Sequence, residues 1–156
     1  MTFIKYHTTD TQGLEQIRPL WIKLNEMHHH LATTFKDIYE NMTFEDRKEY
    51  FHRIASTGTL RIDIAFDSES EQPVGYCISS LSPKKTGEIE SVFVEEKYRS
   101  KNIGSTLIIR ALSWLEESGC VEKMVSVANG NETAFSFYKK FGFYPRKTIL
   151  EQKKER

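Results

Sequence analysis

With 156 residues the chain is long enough to bury one full hydrophobic core and too short for two ordinary domains, so a single domain over residues 1–156 is expected. Hydrophobic residues make up 38% and charged residues 28%, and ten Phe, seven Tyr and two Trp supply bulky packing groups, which excludes wholesale disorder. Twenty-two basic residues balance twenty-two acidic ones, so no global field draws the chain to nucleic acid or to an anionic membrane, and neither is an expected partner.

Residues 2–6 fit a short strand, and nothing at the start combines a basic stretch with a long apolar run. From Gly13 the apolar positions Leu14, Ile17, Leu20, Trp21, Leu24, Met27 and Leu31 recur at helical spacing. Thr43, with Asp46 three residues on, is an N-cap signal for a second helix carrying Phe44, Tyr50, Phe51 and Ile54, which Gly58 can stop. The period then drops to two. Leu60, Ile62, Ile64 and Phe66 alternate with Arg61, Asp63 and Ala65, and after a polar stretch at 67–72 a second run spans 74–81, so the two should pair as a hairpin. A turn at 83–87 leads to a third strand of the meander at 88–94.

A polar loop at 95–102 precedes a helix from about Gly104, with Leu107, Ile108, Ala111, Leu112 and Leu115 facing inward and Gly119 closing it. Residues 123–128 fit another strand. Asn131 resembles an N-cap, because Ala134, Phe137, Tyr138 and Phe141 recur at helical spacing before Gly142. The dipeptide Asn129-Gly130 would also suit a hairpin, but the period that follows favours strand, turn and helix. A final strand is expected at 146–152, ahead of a lysine-rich end at 153–156 that should fray. The predicted order, β α α β β β α β α β, is an α+β or mixed three-layer α/β/α domain with helices flanking a mostly antiparallel sheet.

Cys77 sits in an apolar run far from Cys120, so reduced thiols and a cytoplasmic setting are expected. No segment approaches the roughly eighteen consecutive apolar residues that would span a membrane.

Three segments carry chemistry. The strand that ends in Val94 runs into a loop bearing Lys97, Arg99 and Lys101, and then into the N-terminus of an amphipathic helix. Exposed N–H groups, the positive end of the helix dipole and flanking cations make such a junction an anion site that suits a phosphate or pyrophosphate. An ordinary solvated loop has the same local pattern. On the strand itself, a period of two sets Glu88, Glu90, Val92 and Val94 on one face and Ile89, Ser91 and Phe93 on the other. A carboxylate among apolar neighbours has its pKa raised toward values useful for a general base, whereas on an edge it would simply face water. Tyr138 lies on an apolar helical stripe, where core packing with the hydroxyl at the rim is its simplest role.

Together the run from Ile89 to Val94, the stretch Tyr98-Arg99-Ser100-Lys101-Asn102-Ile103-Gly104, and Asn131, Ala134, Phe137-Tyr138 and Gly142-Phe143 resemble the GCN5-related N-acetyltransferase (GNAT) superfamily. Its acyl-CoA signature R/Q-x-x-G-x-G/A is matched by Arg99 and Gly104, while Asn102 stands at the first glycine, a substitution that a left-handed backbone tolerates. The likeness is strong over residues 88–143. It implies a GNAT-like acyl-CoA N-acyltransferase fold and an N-acetyltransferase that passes an acetyl group from acetyl-CoA, a co-substrate, to a primary amine of a small molecule, peptide or protein.

The resemblance also implies roles. The backbone of Val92, Phe93 and Val94, at a bulge that splays the central strands, would pair with the pantetheine amides. The N–H groups of Arg99, Ser100, Lys101, Asn102, Ile103, Gly104 and Ser105 would wrap the pyrophosphate. Asn131 would bond the pantetheine arm, cap its helix, or do both, and Phe137 belongs with the coenzyme-binding residues. Tyr138 would protonate the departing thiolate, and Glu90 or Glu88 would take the amine proton directly or through water. Dimers are common in the family, so a homodimer is one implied arrangement, and a further strand that the family commonly carries would come from a second subunit or leave an open edge. The alternative reading is a non-catalytic acyl-CoA-binding or regulatory domain of the same fold.

His28-His29-His30 is not read as a metal site, because successive helical side chains diverge by about 100°. One of them could face an acceptor pocket whose wall the first two helices would form, with Trp21, Phe35, Tyr39 and Phe44 as candidate lining or core.

Overall fold

The computed structural model describes residues 2–154; Glu155 and Arg156 of the lysine-rich end lie outside the described residues. Strand β1 (Ile4–Thr9) is followed by a single 3-10 turn (Thr11–Gly13) and helix α1 (Leu14–Leu31). A short helix α2 (Lys36–Asn41) precedes α3 (Phe44–Thr57). The meander β2 (Thr59–Asp67), β3 (Pro73–Leu81) and β4 (Thr86–Val94) then leads through a 3-10 turn (Glu96–Tyr98) to α4 (Ile103–Glu117), β5 (Glu122–Val125) and α5 (Ala134–Lys139).

The five strands lie in the order β1-β2-β3-β4-β5, antiparallel except for the parallel β4–β5 pair. Helices cover both faces, which is the expected three-layer α+β arrangement. On one face Ile17, Leu20, Trp21 and Leu24 of α1 and Phe44 and Phe51 of α3 pack on Ile62, Ile64, Tyr76 and Ile78. On the other, Leu107, Ile108 and Ala111 of α4 and Tyr138 of α5 pack on Ala65, Cys77 and Ile89. The alternation of β2 and β3 thus feeds two cores, as a sheet with two covered faces requires.

Local signals explain the element ends. The predicted cap of α3 is a full capping box: Asp46 N–H donates to Thr43 Oγ1 at 3.1 Å and Thr43 N–H to Asp46 Oδ2 at 3.4 Å, a device that contributes about 1 kcal/mol. Gly58 ends that helix where a Cβ would stand 2.4 Å from the Leu81 carbonyl oxygen, so only glycine lets α3 close onto the end of β3. Asp63 is fully buried on β2, and its charge is met by Arg61 Nε at 2.9 Å, Arg110 Nε at 3.1 Å and the Thr8 hydroxyl at 2.9 Å. That network locks β1, β2 and α4 together, since a buried carboxylate survives only when fully paired.

Four expectations are corrected. Residues 146–152 form no strand: the segment is irregular and solvent-exposed, with Ile149 at 79% and Leu150 at 92% exposure. Its two apolar residues, Ile149 and Leu150, are adjacent rather than alternating, so no single face is offered to the core, and no sheet edge receives the segment. Strand β5 ends at Val125 rather than Ala128. Helix α2 was not anticipated, because six residues carry too little periodicity to register. Asn131 does not cap α5; Thr133 occupies that position, and the Asn131 carbonyl instead accepts the Ala134 N–H in a preceding turn. Both cysteines are free thiols, Cys77 buried and Cys120 partly so. Among the described residues no helix is long and apolar enough to cross a membrane.

Candidate active site

Strand β4 pairs with β5 only from Thr86 to Ile89, opposite Glu122 to Val125, and the two then part. At that point the β3–β4 ladder also breaks: Ile78 faces Ser91 and Ser79 faces Ile89, which leaves Glu90 as an extra residue, a β-bulge. The bulge lies at Glu90, upstream of the expected 92–94. It also shifts the pleat, so the faces differ from strict alternation. Ser91 and Phe93 point to the α1/α3 side, where the Tyr76 and Ser91 hydroxyls are 2.8 Å apart, while Ile89, Val92 and Val94 belong to the α4 side. A period-two reading assumes an unbroken ladder, and one inserted residue exchanges the faces beyond it.

Past the bulge the strand has a free edge. Glu95 N–H donates to the Val74 carbonyl at 2.8 Å, and the Phe93 carbonyl lies against Gly75, so the odd-numbered backbone groups face β3. Backbone groups alternate in direction along a strand, so those of Val92 and Val94 face the gap left by β5. The Val94 carbonyl accepts a hydrogen bond from Arg99 Nε at 2.9 Å. That gap offers a strand edge to an extended ligand with amide groups.

Both carboxylates reach the α1/α3 side. Glu90 Oε1 accepts from the Tyr50 hydroxyl at 3.0 Å and Glu90 Oε2 from the Ser80 hydroxyl at 2.7 Å. Burial, reinforced by the adjacent Glu90 carboxylate, pushes the Glu88 pKa up to about 7. Burial and then Glu90 push the Tyr50 hydroxyl up to about 12. Glu88 and Glu90 line a cleft of about 230 Å³ with Tyr50, Ile54, Ser80 and Thr86. Tyr50 and Ser80 escaped sequence reasoning because each sits on an apolar stripe; the only hint was the Ser79-Ser80 pair inside an otherwise apolar strand.

The loop expected as a candidate anion site leads directly into helix α4. Ser100 (φ 70) and Asn102 (φ 60) adopt left-handed conformations on either side of Lys101, an alternation that turns successive N–H groups to one side. Helix α4 starts at Ile103, one residue before the expected Gly104, and its first bond runs from Thr106 N–H to the Asn102 carbonyl at 3.0 Å. The N–H groups of Ile103, Gly104 and Ser105 are therefore left without an intrahelical acceptor. The loop is braced from outside: the Tyr98 hydroxyl donates to Asp67, Lys97 and Lys101 stack on the Tyr98 ring at 5.6 and 5.4 Å, and Arg99 lies 5.3 Å from the Phe93 ring centroid. These residues fit a pyrophosphate, with donors aimed one way and cations at hand.

Helix α5 closes the far side of the gap. The Phe137 ring rests on Gly104, where an added Cβ would meet it at 3.5 Å, and packs edge-on against Tyr138 and Phe141. Tyr138 is buried within electrostatic reach of the Cys77 thiol, and Cys77 is the strand partner of Val92. Burial raises the Tyr138 hydroxyl far above its ordinary pKa, with a smaller contribution from Cys77, so it keeps its proton at any physiological pH. Asn131 is half-buried in the turn ahead of α5, next to Gly130, whose φ of +100° and approach to the Leu31 carbonyl tie that turn to the end of α1.

The histidine run disperses. His28 stacks 5.6 Å from Tyr39, His29 Nε2 lies 2.9 Å from Glu40 Oε1, and His30 is exposed. Among the described residues no group of three or more His, Cys, Asp or Glu is placed to hold a metal ion. Trp21 and Phe44 are core residues with ring centroids 5.3 Å apart.

The model of the acetyltransferase (GNAT) family matches residues 24–143. An uncharacterized N-acetyltransferase of Methanocaldococcus jannaschii is 31% identical over 86 residues, 50% of this chain but only 37% of that relative's own length. Phosphinothricin N-acetyltransferase of Streptomyces coelicolor is 26% identical over 133 residues, covering 83% of this chain and 77% of the relative. Among solved structures, the aminoglycoside N-acetyltransferase AAC(6')-Iy in complex with CoA superposes with a TM-score of 0.72 at 15% identity, over 100% of this chain and 97% of that one, which is a likeness of fold.

Proposed function

The chain belongs to the GNAT acetyltransferase family, and from that membership we propose that it transfers an acetyl group from acetyl-CoA to a primary amine by direct attack in a ternary complex. The observation that carries this reading is the parting of β4 from β5 after Ile89, immediately before the bulged Glu90. In this reading the carboxylate pair acts from the α1/α3 side of that gap and Tyr138 from the α4 side.

In this reading the nest at Ser100–Asn102 and the start of α4 hold the pyrophosphate, and the free edge at Val92 and Val94 holds the pantetheine amides. Phe137 and Asn131 flank the arm. An alkylamine has a pKa near 10 and is mostly protonated at neutral pH, so attack needs a base. Glu88, with its pKa near 7, takes that proton, and Glu90 supports it. The Val92 or Val94 N–H stabilises the negative charge that develops on the thioester oxygen. Tyr138 gives its proton to the leaving sulfur. Holding both substrates in the gap supplies much of the remaining acceleration.

The test is release of free thiol from acetyl-CoA across a panel of amines, with calorimetric titration of acetyl-CoA alongside. Saturable binding and amine-dependent thiol release support the proposal. Absence of coenzyme binding at high micromolar concentration overturns it, and binding without turnover on any amine leaves a non-catalytic acyl-CoA-binding domain.

A further inference from the structure

One cation near the carboxylate pair has no part in the transfer chemistry. Arg47 lies on α3 one turn before Tyr50, half-buried, with its guanidinium carbon 4.6 Å from the Tyr50 ring centroid and 4.7 Å from that of Phe51. Among the described residues its side chain makes no hydrogen bond and no ion pair. Nearby cations behave differently: Lys48 pairs with Glu15 at 2.5 Å, Arg53 with Glu49 at 3.2 Å and Arg18 with Glu45 at 2.8 Å. The rings hold the Arg47 guanidinium in place while its N–H donors stay unspent.

Arg47 sits beside the cleft rather than in its lining, carried on the ring of Tyr50, which does line it. The same Tyr50 ring that carries Arg47 sends its hydroxyl to Glu90. The charge of Arg47 is felt on four elements: after burial it helps lower the pKa of His28 on α1, and it opposes, without reversing, the burial that raises Tyr50 on α3, Tyr76 on β3 and Glu88 on β4. Of the two carboxylates in the cleft, Glu90 is bonded by Tyr50 and Ser80, and Glu88, which feels the charge of Arg47, is given to the amine in the proposed transfer. A simple cationic amine would leave the guanidinium unpaired and be repelled by it. An acceptor that carries its own carboxylate satisfies both signs, because a planar guanidinium fork matches a carboxylate in two parallel hydrogen bonds.

We propose that Arg47 binds a carboxylate on the acceptor, so that the preferred substrates are amino carboxylates, the chemical class of amino acids, with the amine directed to Glu88. This rests on the transfer activity proposed above. The experiment measures thiol release by the full chain on matched triples: an amino acid, its carboxamide, and the amine left by removing the carboxyl group, over several side chains. The free acid should exceed both analogues in kcat/KM by at least about tenfold, since a site built to bond a group rejects the analogue that lacks it. Arg47→Gln should bring the acid-to-amide ratio toward one, chiefly through KM for the acid, and Arg47→Lys should keep part of the preference. Acetyl-CoA titration and a thermal melt report whether each variant is folded, and the wild-type ratios decide the matter if Arg47→Gln is not. Carboxamides or decarboxylated amines that react as well as the acids overturn the proposal while leaving the acetyltransferase reading intact. Coenzyme binding with no thiol release from any amine overturns both.

Discussion

The Tyr50 hydroxyl donates to Glu90 Oε1 at 3.0 Å, joining α3 to the one residue of β4 that the bulge leaves out of the β3 ladder. Ser80 donates to the other oxygen at 2.7 Å. Two carboxylates two residues apart are therefore unequal. Glu90 is held by two hydroxyl donors, while burial first and the adjacent Glu90 second raise the Glu88 pKa to about 7. Pairs of acids pushed apart in this way are the usual mark of divided roles in acid–base chemistry.

Glu88 acting as base gives a rate that climbs with pH. The deprotonated form is the active one, so kcat/KM should rise through a limb near 7 and level off above it. Glu88→Gln should abolish that limb and lower kcat by roughly 10²- to 10⁴-fold. Glu90→Gln removes the neighbouring negative charge, so it should move the limb to lower pH. A pH–rate profile of the three proteins checks this, and an unaltered limb in Glu88→Gln assigns the base elsewhere.

The same shift has a consequence for stability. Glu88 titrates at 4.5 when unperturbed and at about 7 in the fold, so the folded state binds the proton more tightly. Between those two values the native protein carries more protons than the unfolded chain, and stability falls as pH rises. Above the upper value the whole loss is present, and below the lower one it is absent. Glu88→Gln cannot ionise, so its melting temperature should exceed that of the parent protein above about pH 8 and converge with it below about pH 4. Thermal melts across this range test the direction, and a variant that is less stable at alkaline pH contradicts it.

Tyr138 offers a cleaner separation of binding from chemistry. Its hydroxyl is held protonated by burial among Cys77, Phe137 and Phe143, so it is a proton donor throughout the working range. Tyr138→Phe keeps the ring and the packing. Turnover should fall by roughly 10²-fold, as for loss of a positioned general acid, with the acetyl-CoA dissociation constant unchanged. Equal turnover in the two proteins removes Tyr138 from the mechanism.

Much of this was legible in the residues. The switch from a 3.6 to a 2 period at Gly58, the Thr43–Asp46 capping box and the two apolar faces of α4 and β3 each bury what their pattern says they should. The backbone of the loop before α4 was legible because a left-handed-tolerant Asn102 and a helix start are local features. The bulge at Glu90 was not: it arises from how β3 and β4 register against each other, and no residue in either strand announces it. The roles of Tyr50, Ser80 and Arg47 were hidden for the same reason, since each acquires meaning only when α3 is laid against β4. The strand expected at 146–152 failed in the opposite sense: a short Ile149-Leu150 pair among polar residues offers no alternating face, and no sheet edge pairs with it.

Asn102 tests whether the loop itself, rather than its charge, grips the coenzyme. Its φ of 60° and ψ of 18° place it in the left-handed region at the N-cap of α4, where no side-chain capping bond is made. The residue thus contributes through its backbone shape. Asn102→Gly relaxes that conformation at no steric cost and should leave acetyl-CoA affinity equal or somewhat tighter. Asn102→Val forces a β-branched residue into the same region, at a cost of about 1–2 kcal/mol. The loop escapes this strain by leaving the left-handed state, which turns its N–H group away from the others, so the dissociation constant for acetyl-CoA should rise roughly 5- to 30-fold for that energy. Because neither change alters a charge, the salt dependence of binding should be the same in all three proteins. Calorimetric titration at two ionic strengths measures both quantities, and wild-type affinity in Asn102→Val shows that the turn does not grip the diphosphate through its backbone.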